Sequence, residues 1–380
     1  MRLLAAVLFW SSIALIFYAY LGYPVLLKIV SLFRNKPVKK GDVSLKVSFI
    51  IAAYNEENRI KEKIENTLTQ DYPGERLEII AVSDCSTDRT DEMVRSYESK
   101  GVLLIKAPER GGKEAAQKIA VEKSSGEIIV FSDVATLLET KGLSNVVRNF
   151  NDPTVGCVSS VDRFVDRDGK ISGEGTYVRY EMFLRGLETK VNTLVGLSGS
   201  FFAARREVCH DWAIDLQSDF NTLLNSVKTG LRGVSDPDSI GYYKNIADEK
   251  KEFERKVRTV LRGISVFMRG LPLLNPFKYG LFSWQLFSHK LCRWIVPFAL
   301  ITAFVSNLLL TSYSVFYLWT FILQFVFYAV ALGGVWMTLF SRKFLLKIPS
   351  FFVLVNLSIL MAWYRYFRGE RLLAWEPSQR

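Results

Sequence analysis

Between Val47 and Asp133 four short apolar runs recur about every 25–30 residues, and this pattern limits the fold more than any other stretch. They read VSFIIAAYNEE, LEIIAVSDCSTDRT, VLLIKAPERGGKEAAQKIA and GEIIVFSD, with helix-compatible segments between them. Such alternation predicts βαβ units and an α/β domain built on a mostly parallel, Rossmann-like sheet. Each run ends in a polar cluster, and open α/β sheets place ligands outside the carboxyl ends of their strands. Asn55 and Glu56 follow the first run, Asp84 and Asp88 the second, Gly112 and Lys113 the third, and Asp133 closes the fourth. Acidic and basic groups on one rim suit a charged, phosphate-bearing ligand.

The expected elements follow from the same periodicities. Strands are expected at Val47–Asn55, Leu77–Val82, Leu103–Ile105 and Ile128–Phe131, with a fifth at Val155–Ser160. Ile60, Ile64 and Leu68 repeat at helical spacing, so a helix is expected from about Glu57 to Gln70, ended by Pro73 and Gly74. A second helix is expected over Lys113–Ser125.

Outside this block the chain turns apolar. Leu3–Phe33 carries Lys28 as its only charge and is longer than a signal-peptide core, so it reads as a retained membrane helix. Arg34, Lys36, Lys39 and Lys40 follow it, which by the positive-inside tendency sets that end in the cytoplasm. Leu271–Leu291 reads as an interfacial helix pair broken near Pro276 and Gly280. Trp294–Leu310 and Val315–Phe340 read as spans, and Ile348–Tyr364 as a fourth segment that either spans or stays shallow. The expected division is 1–34 membrane helix, 45–265 catalytic domain, 266–293 interfacial helices, 294–368 membrane helices and 369–380 tail. A multi-pass protein of the inner (cytoplasmic) membrane with a cytoplasmic catalytic domain is the corresponding localisation.

Charge excludes some functions. The net charge is +11, and Arg255–Arg293 holds eight Lys/Arg and no Asp/Glu. Beside apolar segments and without a nucleic-acid motif, that block fits anionic lipid headgroups, so membrane lipids are expected partners and nucleic acid is not. Cys85, Cys157, Cys209 and Cys292 are scattered with no CxxC pair, which argues against a structural zinc site and for reduced thiols.

The ordered blocks, together with GLSGSFFAARRE, SDFNTLLNSVKTGLR, EFERKVRTVLRG and FSHKLCRWIVP, resemble the family 2 inverting glycosyltransferases of the GT-A type over about Lys46–Pro297. Membrane-embedded enzymes of bacterial polysaccharide synthesis, such as cellulose, hyaluronan and poly-N-acetylglucosamine synthases, are the nearest likeness. The resemblance implies sugar transfer from a nucleotide-sugar donor, a UDP-sugar, to a lipid-linked or growing polysaccharide acceptor. Transfer to polyprenyl phosphate, or an inactive nucleotide-sugar-binding scaffold, remain alternatives.

By the same resemblance the donor is held by Ala53, Tyr54, Glu56, Asp84, Asp88, Gly112, Lys113 and Asp133. Asp84 and Asp88 also fit a plain turn and helix cap. Gly112 and Lys113 open a helix, where backbone N–H groups and a lysine form an anion site. Asp133 matches the first acid of the family's DxD block and is the candidate ligand for Mg²⁺ or Mn²⁺; Ala135 replaces the second. Gly199 and Ser200 match the acceptor-side loop. Asp219 matches the family's general base, also facing the acceptor, with Ser218 in place of the preceding acid. Arg258 matches the arginine of the processive QxxRW motif, where Arg255 and Thr259 replace Gln and Trp; as a fixed cation it can steady the departing diphosphate.

Overall fold

The computed structural model describes residues 1–165, 176–244, 249–336 and 344–370. An amino-terminal helix, α1 (Arg2–Phe17), passes through a π-helical turn at Tyr18–Gly22 into α2 (Tyr23–Phe33). The sheet domain then follows as β1 (Val47–Ala53), α3 (Ile60–Leu68), β2 (Leu77–Ser83), α4 (Thr90–Arg95), β3 (Val102–Lys106), α5 (Lys113–Lys123), β4 (Ile128–Asp133) and β5 (Leu137–Leu138). It continues with α6 (Gly142–Val147), β6 (Val155–Val165), α7 (Thr176–Val191), β7 (Phe201–Arg205), α8 (Ser218–Lys228) and β8 (Arg232–Lys244). The remaining helices are α9 (Glu249–Arg269), α10 (Pro276–Tyr279), α11 (Leu281–Leu286), α12 (Arg293–Leu310), α13 (Val315–Trp336) and α14 (Phe344–Phe367).

The chain divides into two compact units. One contains Leu27–Ile246 and Val266–Ser283, the other Met1–Leu26, Ala247–Ser265 and Trp284–Arg371.

In the first unit the described strands form one sheet in the order β3-β2-β1-β4-β7-β6-β8-β5. β1, β2, β3 and β4 pair in parallel, as the apolar runs predict. Both faces of this half are covered. Val47, Phe49, Ile51 and Ala53 pack into one core cluster, while Ile50 and Ala52 pack into a second on the opposite face. A strand buried on both faces needs apolar residues without alternation, which is why the runs are continuous. The other half is mixed. β7 runs antiparallel to both β4 and β6, and β8 returns parallel to β6. The insertion of β7 beside β4 sets the amino end of β7 against the carboxyl end of β4, with Ser132 opposite Phe201. The helix expected over Glu57–Gln70 is shorter, Ile60–Leu68, because Asn55–Arg59 is spent in a turn that bonds to the next loop. The fifth strand is longer than expected and reaches Val165.

Among the described residues four helices are long and apolar enough to cross a membrane: Arg2–Phe33, Leu281–Leu310, Val315–Gly333 and Ile348–Phe367. The expected helix break falls at Gly280, where φ is +55°. From Leu281 one helix then continues through a second π-helical turn, Phe287–Cys292, so the residues expected to lie at the interface up to 293 join the following span. The two π-helical turns meet through Tyr18 Oη and Ser288 Oγ, 2.6 Å apart, and Trp284 Nε1 donates to Tyr18 Oη at 2.9 Å. Residues 337–340 of the third expected span, and the tail from 371 onward, lie outside the described residues. All four cysteines are free.

Candidate active site

The carboxyl ends of β1 and β2 are locked to each other by their loops. Asn55 takes a left-handed conformation, φ +51°, and its Oδ1 accepts from the Thr87 N–H at 2.8 Å. In return Asp88 Oδ2 accepts from the Glu57 N–H at 3.0 Å, and Thr90 Oγ1 accepts from the Glu56 N–H at 2.8 Å. Burial works against the Asp88 carboxylate, yet the donors from Thr90 and Glu57 outweigh it and hold its pKa below the usual value. Glu56 is buried and takes Arg59 Nε at 2.7 Å; burial pushes its pKa up against the pull of that arginine. Ala53 ends β1 with its carbonyl accepting from the Asp84 N–H at 2.9 Å. The Tyr54 ring carries the Arg110 guanidinium at 3.9 Å from its centroid.

Asp84 is only 1% exposed, and its two oxygens accept from the backbone N–H groups of Gly111 and Gly112, both at 2.9 Å. A direct contact with a nucleotide base therefore competes with those bonds. Asp84 shapes the turn before α5 instead of standing free beside it. Gly112 has φ +87°, a conformation costly for residues with a Cβ, and it starts α5 so that Lys113 enters the site.

Lys113 is the hub. Its ammonium bonds Oδ1 of Asp133 at the end of β4 and donates to the Gly199 carbonyl at 3.0 Å. Burial opposes its charge, but Asp133 together with smaller help from Glu114 and Asp219 more than offsets this, so its pKa lies above the ordinary lysine value. The Asp133 N–H in turn donates to the Ser200 carbonyl at 2.9 Å. This is the consequence of the antiparallel β7: the loop that precedes it lands beside Asp133. Asp219 sits in the first turn of α8, 6% exposed, where a carboxylate is favoured by the helix dipole. Its Oδ1 accepts from the Phe220 N–H at 2.7 Å and its Oδ2 from Gln217 Nε2 at 3.1 Å. A Cβ on Gly199 would meet that Oδ2 at 2.7 Å, so glycine allows the loop and the carboxylate to touch.

The structure thus brings Lys113, Asp133, Gly199, Ser200 and Asp219 together. Arg258 lies half-buried on α9, in the other compact unit.

Three further groups were not singled out by the sequence. Asp162 on β6 accepts from Ser198 Oγ at 2.5 Å and from Ser200 Oγ, which fixes the loop from behind; burial pushes its carboxyl pKa up. Arg110 was hidden because a lone arginine in a loop carries no pattern. Lys63 is fully buried under the Asp133 loop and donates to Ser132 Oγ at 2.7 Å and to the Thr136 carbonyl at 2.6 Å. A signal for it existed: Ile60, Lys63, Ile64 and Thr67 form the buried face of α3, so a lysine falls on the apolar stripe.

No group of three or more His, Cys, Asp or Glu that fits a metal ion occurs among the described residues. Asp133 offers Oδ2, since Oδ1 is taken by Lys113, and Ala135 offers nothing.

Residues 48–212 match glycosyl transferase family 2. A poly-beta-1,6-N-acetyl-D-glucosamine synthase of Staphylococcus aureus is 26% identical over 208 residues, covering 51% of this chain and 49% of the synthase. A poly(ribitol-phosphate) beta-N-acetylglucosaminyltransferase of the same species is 34% identical over 91 residues, covering 23% of this chain and 16% of that protein. The chain thus spans about half the length, or less, of these curated relatives. Among solved structures, a mannosyltransferase from Pyrobaculum calidifontis in complex with GDP-Man and Mn2+ shares the fold, with a TM-score of 0.72 at 23% identity over 96% of this chain and 100% of that one.

Proposed function

Starting from a chain that carries a family 2 glycosyl transferase domain over residues 48–212, we propose that it moves a sugar from a UDP-sugar, with inversion, onto a lipid-linked or growing polysaccharide at the inner membrane. The four apolar helices anchor it there as a multi-pass protein with the sheet domain in the cytoplasm. The observation that carries this reading is the Lys113 ammonium held between Asp133 and the Gly199 carbonyl, with the Asp219 carboxylate packed where a Cβ of Gly199 would lie. A cation and a carboxylate gathered at one glycine supply the two demands of inverting transfer: charge compensation for the leaving diphosphate and a base for the acceptor hydroxyl.

The residues divide the work as follows. Tyr54, with Arg110 stacked on it, flanks the nucleotide. Asp84 and Asp88 hold the loops that form its cradle. Gly112 and Lys113 face the diphosphate, and Arg258 is the further cation that the family resemblance assigns to it. Gly199 and Ser200 shape the acceptor side. Asp219 takes the acceptor proton as the anomeric carbon is attacked. Asp133 is the protein's ligand for Mg²⁺ or Mn²⁺. One carboxylate fits such an ion when the donor's phosphate oxygens complete its shell. The ion would add positive charge at the diphosphate.

The test uses membranes containing the full chain, radiolabelled UDP-sugars, and both polyprenyl phosphate and oligosaccharide acceptors. Label on a saccharide that is lost in Asp219→Asn supports the proposal. Label on polyprenyl phosphate alone, or UDP binding with no transfer, overturns it.

A further inference from the structure

Away from the group around Lys113, the sheet domain carries a half-open cavity of about 530 Å³. It is lined by the linker after α2, the α6–β6 connection, the α8–β8 turn and the segment around α10. Four of its lining residues are basic, Lys36, Lys39, Arg232 and Lys278, and one is acidic, Asp152. That acid is already engaged. Asp152 Oδ1 accepts from the Thr154 N–H and hydroxyl, and Oδ2 accepts from Arg232 Nη2 at 3.3 Å and the Lys39 N–H at 3.3 Å.

Arg232 is 8% exposed and is spent on the wall itself: Nη1 donates to the Lys36 carbonyl at 2.8 Å, and Nη2 to the Pro37 carbonyl at 3.1 Å and to Asp152. Among the described residues no acidic group bonds the Lys36 ammonium. Partial burial, and then the charges of Arg34 and Arg232, push its pKa down.

The rest of the wall mixes polar residues, Thr154, Asn192 and Thr193, with apolar and aromatic ones such as Leu231, Tyr279 and Phe282. The segment that carries Tyr279 also holds Leu271, 45% exposed, and Phe277, 99% exposed. Two exposed apolar side chains on this short segment suit a bilayer surface.

We propose that this cavity binds the phosphate headgroup of an anionic phospholipid, at a site sharing no residue with the sugar-transfer group. Lys36 and Lys39 meet the phosphate, Lys278 stands at the rim, and Phe277 enters the interface. The proposal rests on the membrane placement proposed above. A free phosphate presents the same charge chemistry without the acyl chains, and the experiment separates the two.

The detergent-solubilised full chain is titrated with short-chain phosphatidylglycerol, short-chain phosphatidylcholine, glycerol phosphate and inorganic phosphate, and UDP binding is measured on the same sample. Phosphatidylglycerol is expected to bind saturably and more weakly as salt rises. Lys36→Gln is expected to weaken it about fivefold, the scale for one basic residue at an anionic surface, while Lys36→Arg and UDP binding are retained. Lys278→Gln at the exposed rim gives the same readout where Lys36→Gln does not fold. Equal binding of phosphatidylcholine, inorganic phosphate as tight as the lipid, indifference to both substitutions, or no binding at all overturns the proposal. Loss of UDP binding with lipid binding intact counts against the glycosyltransferase reading alone.

Discussion

Gly199 and Asp219 meet with no room for a side chain between them: a Cβ at 199 would lie 2.7 Å from Oδ2 of the aspartate. The backbone at 199 needs no left-handed conformation, so the requirement is contact alone. Gly199→Ala is therefore expected to fold and to push the carboxylate aside. A displacement of this size at a reacting group costs about 10²-fold in turnover. Sugar-transfer kinetics together with the melting temperature check this; wild-type turnover in a folded Gly199→Ala protein contradicts it.

Asp219→Asn keeps the shape and removes the basicity. Turnover is expected to fall roughly 10²–10⁴-fold, the range for losing a general base. UDP affinity should change little, because the side chain sits on the Gly199 side of Lys113. A calorimetric titration beside the rate measurement separates the two effects.

Asp84 affects the donor through the loop it holds. Asp84→Ala frees the N–H groups of Gly111 and Gly112 and is expected to weaken UDP binding by about 1–3 kcal/mol, the cost of leaving such groups unpaired. Isothermal calorimetry with UDP decides it, and unchanged affinity would remove Asp84 from the donor site.

Lys63 makes folding stability depend on pH. Burial pushes its pKa from 10.5 down to about 7, against a smaller opposing effect of Asp133. The unfolded chain keeps the ordinary value, so between pH 7 and pH 10.5 it binds the proton that the folded chain releases. Stability from this residue therefore rises with pH across that window, and below it the full cost of the buried charge is present. Lys63→Met should flatten the rise, as read from unfolding midpoints of the detergent-solubilised protein. A slope that survives the substitution must come from other groups.

With Asp133 as the lone carboxylate in its block, divalent-ion affinity should depend on the donor's phosphates. Transfer is expected to stop in EDTA and to return with Mn²⁺. Ala135→Asp, which adds a second oxygen ligand, should tighten Mn²⁺ binding in the presence of UDP. Full activity in EDTA would mean that Lys113 carries the charge compensation without an ion.

The parallel half of the sheet was legible because burial on both faces leaves a local mark, and Phe49, Ile50 and Ile51 write it in consecutive residues. The positions of Asp133 at a strand end and Lys113 at a helix start could also be read locally, because a run or a helix visibly stops or starts there. The four long apolar segments needed only their length and composition. Other features depended on contacts between residues far apart in the chain. Nothing local in Phe201–Arg205 says that it lies antiparallel between β4 and β6, yet that placement alone carries Gly199 and Ser200 to Asp133. Nor does the stretch around Asp84 show that its oxygens are spent on Gly111 and Gly112, 27 and 28 residues away. Local periodicity reports which faces of an element are buried. The partner that each buried polar group finds is set by the packing of whole strands, so only the tertiary structure decided where Lys63, Asp84 and Asp162 make their bonds.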